Sequence, residues 1–434
     1  MTLNVSARIH GTILGEDREN CMVHQLPTGT KDLLPLDVAQ KLWIESRIQQ
    51  VFQSWGYHRI ITPTIEHLRS LTAGGAVNPE SVVQLHSSNI DILGLRPEFT
   101  ASIARAYAAR LGGHVATCPQ RLYYNANVFR RKANNTSEES FQAGVELLGA
   151  SGLLADGETL MLLAESLDRV KLPNWQIILG DVRLTSALLD LLPEQYRAKV
   201  RQCLATLDRI ALKEMDLPVD VKGYALELID LRGKPKDVLS RLASSTWAGG
   251  LTDEISYLKS LLDLWEASEK DYGNSDRLIL DLSFMQTFDY YTGIVFEVAA
   301  ANYVVAQGGR YDRLLGVYHP QSLSYPSIGF CLNLEDLQQA LQSQLPQSLA
   351  TSKCLVVAQT PEAMQTAFAY AAQLRQSTDL EAIELELEFR AADDSRDYAR
   401  SRGISQIAWI SNDGAIALEM TYSNLLSNPP QIKI

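Results

Sequence analysis

Apolar residues recur at helical spacing over residues 38–55 (Val38, Leu42, Ile44, Ile48, Val51, Phe52), between a Pro-Thr-Gly-Thr turn at residues 27–30 and Gly56, so this stretch is predicted to be a helix. Ile60, Ile61, Pro63 and Ile65 then read as a strand, with a proline that suits an edge or an interface. Leu122, Tyr124, Ala126 and Val128 alternate, the polar run 132–140 follows, and residues 141–148 are apolar again. That pattern predicts two strands joined by a long polar loop.

Residues 153–274 are rich in Leu and Ala at helical spacing, as at 184–192 and 258–265, and are predicted to be a helical insertion. Strands resume at 278–282, 293–298 and 303–306, with Gly308 and Gly309 read as a turn, and a helix over residues 334–341 closes the unit. A polar segment at 342–352 with a single proline reads as a linker. Beyond it, strands at 353–358, 383–389 and 406–410 alternate with helices at 361–374 and 395–401, the pattern of a small α/β domain over residues 353–434.

The chain's 434 residues exceed one ordinary domain, so a large core over 22–341 followed by the small domain is the expected organisation. Residues 1–21 are polar without periodicity and are expected to be a disordered extension, and the sequence leaves Met1 and Met22 both open as the true start. Composition is globular, at 46% hydrophobic and 21% charged. The five cysteines show no CxxC spacing, so neither a metal site nor a disulfide framework is expected. No run reaches the ~18 apolar residues of a membrane span and no export signal opens the chain, which points to the cytoplasm. A net charge of −12 argues against binding nucleic acid by general attraction, although a local basic face would escape that argument.

The stretch 56–63, Gly-Tyr-His-Arg-Ile-Ile-Thr-Pro, has the form of a helix running into a proline-bearing strand, and alone it distinguishes nothing. Five further stretches change this: Leu-Arg-Pro-Glu-Phe-Thr at 95–100, Val-Phe-Arg at 128–130, Phe-Gln-Ala-Gly-Val-Glu at 141–146, Phe-Asp-Tyr-Tyr-Thr-Gly at 288–293 and Gly-Gly-Arg-Tyr-Asp at 308–312. In order and separation they resemble histidyl-tRNA synthetase, of the class II aminoacyl-tRNA synthetases, over about residues 25–341. The resemblance implies an α+β fold: an antiparallel sheet flanked by helices, with a degenerate anticodon-binding-like domain after it. It also implies a homodimer formed through residues 56–66.

Free histidine carries an ammonium, a carboxylate and an imidazole. Glu98 and Glu146 offer anionic acceptors, Thr100 and Gln142 neutral partners, and Tyr290 and Tyr291 amphipathic walls. Glu98, Thr100, Gln142, Glu146 and Tyr291 match the family's histidine-contacting positions. A glutamate taken singly is more often a solvated surface charge; the joint match favours a retained amino-acid pocket.

The ATP side departs from the family. Making an adenylate requires cations placed in advance where the α-phosphate gains charge. Arg130 matches the first of three family arginines, but Gln286 stands at the second and Asp336 at the third. Lys132-Ala133 and the acidic 138–140 replace a loop that normally grips ATP and the tRNA end. Arg313 offers a substitute cation if the match near Asp336 slips. Residues 353–434 carry seven Lys and Arg against eleven Asp and Glu, a net of −4, so the last domain does not favour tRNA.

A kept amino-acid pocket without its ATP cations resembles the regulatory-subunit family of the short-form ATP phosphoribosyltransferases. That resemblance implies a non-catalytic protein without cofactor or metal that activates a separate catalytic subunit in the first step of histidine biosynthesis and conveys feedback inhibition by free histidine. The family's usual assembly is a hetero-octamer of four regulatory and four catalytic chains. Two other readings stand beside this one: a working histidyl-tRNA synthetase with unusual substitutions, and an interaction module that binds neither histidine nor ATP.

Overall fold

The computed structural model describes residues 26–75, 77–85, 91–111, 119–131, 137–245, 250–272, 277–284, 290–377 and 382–421. The extension 1–21, the candidate start Met22, Lys132-Ala133 and Gln286 lie outside the described residues. The chain divides into two compact units, Met1–Pro346 and Gln347–Ile434.

The helix Pro35–Ser54 starts where Pro35 supplies a preset φ and the Asp37 carboxylate accepts from the Leu34 amide at 3.0 Å. Ile44, Ile48, Val51 and Phe52 make its buried face. It stops at Gly56, which takes φ +80°, a conformation glycine adopts without strain. In chain order the first unit then contributes β1 (His58–Arg59), β2 (Ile65–His67), β3 (Gln84–Leu85), β4 (Leu93–Leu95), β5 (Gln120–Arg131) and β6 (Ser137–Leu148). Next come β7 (Trp175–Asp181), β8 (Arg232–Gly233), β9 (Leu278–Asp281), β10 (Ile294–Ala300), β11 (Tyr303–Arg310) and β12 (Ser327–Asn333).

Nine of these strands form one sheet in the order β1-β5-β6-β12-β11-β10-β7-β9-β8, while β2-β4-β3 make a small sheet. The large sheet is antiparallel except for the β1–β5 and β7–β9 pairings, so it is a mixed sheet flanked by helices. On one face Ala143, Val145 and Leu147 of β6 and Ile328, Phe330 and Leu332 of β12 join the main core with the helices Pro35–Ser54 and Leu153–Arg169. Because side chains alternate across a strand, Gln142, Gly144 and Glu146 turn to the opposite face, together with Gly329, Cys331 and Asn333.

Four local readings of the sequence are revised by the fold. Of the strand expected from Ile60 to Ile65 only Ile65 belongs to one: β1 ends at Arg59 and β2 begins at Ile65, with Pro63, which has no N–H to place in a ladder, between them; Ile60 still donates to the Tyr123 carbonyl at 2.9 Å. The polar run after Arg131 is shorter as a loop than expected, because Ser137–Ser140 already belong to β6, where Glu138 stands opposite Arg130.

Residues 153–274 are mostly helical but also supply β7, which is hydrogen-bonded on both sides inside the large sheet. Gln176 is its one exposed residue and Ile178 is half-buried, so the apolar run Ile177-Ile178-Leu179 carries little polar alternation to betray a strand. Gly308 and Gly309 are not a turn. They lie inside β11, where a Cβ at Gly309 would come within 2.7 Å of the Tyr291 ring and one at Gly308 within 2.6 Å of the Phe296 ring.

The second unit holds a four-stranded sheet, β14-β13-β15-β16, of β13 (Cys354–Ala358), β14 (Ile383–Leu385), β15 (Gln406–Ile410) and β16 (Ile416–Met420). The first three are parallel and the helices Met364–Ser377 and Ala392–Ser401 pack with them. No described helix is long and apolar enough to cross a membrane.

Candidate functional site

A cavity of about 180 Å³ opens on the sheet face away from the main core, walled by β6, β11 and β12, the helix Thr100–Leu111 and the Tyr290-Tyr291 segment. It is smaller than the ~300–1,000 Å³ that holds drug-sized ligands, which suits a metabolite of amino-acid size. Glu98, Thr100, Gln142, Tyr290 and Tyr291 line it, all singled out from the sequence, as do Arg130 and Asp336. Glu146 lies just behind the wall, 1% exposed.

Glu98 stands at the start of the helix Thr100–Leu111, where its carboxylate accepts from the amides of Thr100 at 2.6 Å and Ala101 at 2.8 Å. These are the unpaired donors of a first helical turn. Burial nevertheless outweighs them and holds the Glu98 carboxyl above its ordinary range. The Thr100 hydroxyl turns the other way and donates to Glu146 at 2.7 Å, and the Tyr311 hydroxyl donates to the second Glu146 oxygen. Burial pushes the Glu146 carboxyl up to about 8 despite these two donors, and the negative charge of Glu98 adds to the shift.

Aromatic side chains shape the rest. The Tyr290 and Tyr291 rings lie 4.7 Å apart, tilted by 45°, and Tyr311 meets Tyr290 edge-on at 6.0 Å. Tyr124 stacks on Phe99 at 4.2 Å and passes its hydroxyl over Gly144, where a Cβ would be only 2.4 Å away. Cys331 also faces the cavity; burial raises its thiol to about 11, which leaves it a weak nucleophile.

Arg130 is the one cation among the described lining residues, and its Nε donates to the Pro97 carbonyl at 2.9 Å. Asp336 sits at the start of the helix Leu334–Leu341, its carboxyl held above the usual range by burial and then by the charge of Glu138. Arg313 is exposed and lies outside the cavity. The arrangement can hold a small ligand with a cationic group toward Glu98 and Glu146 and an anionic one toward Arg130. It offers a polyphosphate carboxylates where charge neutralisation is required.

Sequence reasoning passed over Tyr124, Gln307, Tyr311 and Asn333, all of which line the cavity. Tyr311 had a signal, since it belongs to the Gly-Gly-Arg-Tyr-Asp stretch. Asn333 becomes visible only once the pairing Asn333↔Gln142 sets the register of β12 on β6.

The histidyl-tRNA synthetase family profile matches residues 29–337. The ATP phosphoribosyltransferase regulatory subunit of Picosynechococcus sp. is 49% identical over 407 residues, covering 92% of this chain and 100% of that protein. A crystal structure from Bacillus halodurans, described as an ATP phosphoribosyltransferase regulatory subunit/histidyl-tRNA synthetase, superposes with a TM-score of 0.76 at 26% identity, covering 89% of this chain and 98% of that one. The histidyl-tRNA synthetase of Nostoc sp. shares the fold, with a TM-score of 0.73 at 20% identity over 92% of this chain and 97% of its own. At the identity and coverage of the Picosynechococcus protein, the chain belongs to the family of ATP phosphoribosyltransferase regulatory subunits, built on the histidyl-tRNA synthetase fold.

Proposed function

We propose that this chain is the non-catalytic subunit that a short-form ATP phosphoribosyltransferase catalytic chain requires for activity in the first step of histidine biosynthesis, and that it receives free histidine as the feedback signal. Histidine enters the cavity with its ammonium and imidazole toward Glu98, Thr100, Gln142 and Glu146 and its ring against Tyr290 and Tyr291. The observation that carries this reading is the linked pair of buried carboxylates under a cavity of amino-acid size. Among the described residues neither carboxylate is hydrogen-bonded to a cation, although the charge of Arg130 bears on Glu98, and both can accept from a cationic ligand.

Feedback follows if histidine binds the less active state of the assembly more tightly than the active one, since a ligand shifts an equilibrium only by its differential affinity. In this reading the protein works in the cytoplasm, without tRNA, as a homodimer within a hetero-octamer. Ile61 and Ile65, 82% and 50% exposed on the expected dimer face, support the homodimer.

The test is to co-express this chain with the short catalytic chain. The pair is expected to co-purify, to make phosphoribosyl-ATP only when both chains are present, and to lose activity on addition of histidine. Full activity of the catalytic chain alone would overturn the regulatory role; a pair indifferent to histidine would overturn the histidine site.

A further inference from the structure

Arg310 ends β11 next to Tyr311 of the cavity wall, yet it faces the other side of the sheet. Its register partner is Ile328, a core residue, whereas Gly309 before it lies under the Tyr291 ring and Tyr311 after it bonds Glu146. The side chain is 6% exposed. Its Nε donates to Asp156 at 2.8 Å and one terminal nitrogen donates to the same carboxylate. The other terminal nitrogen donates to Asp312 at 3.0 Å and to the Ala150 carbonyl at 3.1 Å. Asp156 also accepts from the Tyr257 hydroxyl at 2.6 Å.

Three backbone connections run from this cluster to the cavity. The Arg310 carbonyl accepts from the Thr292 amide at 2.7 Å, next to Tyr291. The Asp312 amide donates to the Thr292 hydroxyl at 2.9 Å, and the Asp312 carboxylate accepts from the Ser327 amide at 3.1 Å at the start of β12. The aliphatic stem of Arg310 lies against Gly293, where a Cβ would be 2.9 Å from it. A buried ion pair adds little to stability over an apolar pair of the same shape. Its distinctive property is direction: a planar fork with several fixed donors.

We propose that Arg310 is a positioning residue for ligand binding: held from the core side by Asp156, Asp312 and Ala150, it fixes the peptides that carry Tyr290, Tyr291 and Tyr311, and so sets the cavity wall without touching the ligand. The ligand in this proposal is histidine, and to that extent it rests on the function proposed above.

Two variants of the full chain separate positioning from stability. Arg310→Lys keeps the charge and loses the fork; the double variant Arg310→Met, Asp156→Leu removes the charge pair and keeps an apolar filling. Two readouts apply to each. The first is the histidine Kd by calorimetry, expected to weaken by about tenfold or more in both variants, the usual effect of removing an outer-shell support. The second needs no ligand: the rate at which iodoacetamide alkylates Cys331, which lines the same wall, followed by peptide mass spectrometry. That rate is expected to rise several-fold, while alkylation of Cys354 in the second unit stays at the parent rate. Parent-like values of both Kd and Cys331 reactivity in the double variant would overturn the proposal, as would alkylation rising equally at Cys331 and Cys354. If the parent chain binds no histidine, the reading of the cavity fails, and the Cys331 rate alone decides the role of Arg310.

Discussion

Glu98 and Glu146 are joined through Thr100, whose amide donates to Glu98 at 2.6 Å and whose hydroxyl donates to Glu146 at 2.7 Å. Burial raises both carboxyls, and the negative charge of Glu98 raises Glu146 further. With its carboxyl pushed up to about 8, Glu146 is largely protonated near neutral pH, and a cationic ligand in the cavity would favour its ionised form.

The first prediction concerns Glu146 and pH. Its carboxyl lies at about 8 in the fold against 4.5 ordinarily, so the folded protein favours the protonated form. That contribution to stability is present in full below about pH 4.5 and is lost as pH rises to about 8. Glu146→Gln is neutral at every pH, so its thermal midpoint is expected to gain on the parent's as pH is raised from about 5 to about 8.5. The same variant is expected to bind histidine about tenfold or more weakly, having lost a carboxyl that a bound cation would ionise. Parallel melting curves across that range would contradict the assignment of the shift to Glu146.

Gly329 provides a steric test of the same cluster. A Cβ there would lie 2.0 Å from a Glu146 oxygen and 2.4 Å from the Val145 carbonyl, and neither the buried carboxylate nor the strand can retreat freely. Gly329→Ala is expected to lower stability by about 2–3 kcal/mol, in the range of an overpacked core, and to abolish histidine binding. Denaturant unfolding and calorimetry measure the two effects separately.

The sequence disclosed the site better than it disclosed the strands. Glu98, Thr100, Gln142 and Glu146 were visible because each sits in a short contiguous motif, and the fold brings them to one cavity. The alternation Gln142, Gly144, Glu146 against Ala143, Val145, Leu147 was also there to be read along β6. Strand β7 was hidden, because its short run Ile177-Ile178-Leu179 is apolar at successive positions and resembles the helices around it. Gly308 and Gly309 misled for a related reason: a glycine pair signals a turn by its backbone freedom, whereas these two make room for Phe296 and Tyr291, residues brought there by tertiary packing.

The last prediction is that the purified chain catalyses no histidine-dependent exchange between ATP and pyrophosphate above background. Adenylate formation places growing negative charge on the α-phosphate, and the cations that receive it must already be in position. Arg130 remains at the cavity with its Nε bonded to Pro97. Asp336 lines the same cavity, and the charge of Glu138, the strand partner of Arg130, bears on it. A terminal phosphate there would meet like charge in a partly desolvated setting, where repulsion is stronger than in water. Arg313, the nearest candidate for a replacement cation in sequence, is exposed and lines no part of the cavity. With Gln286 in place of a second arginine as well, two cations are absent, and each well-placed donor contributes about 10²–10³ in rate. Exchange at a rate comparable to that of a working synthetase would show that other groups supply the missing charge, and the separation of amino-acid binding from catalysis in this chain would fall with it.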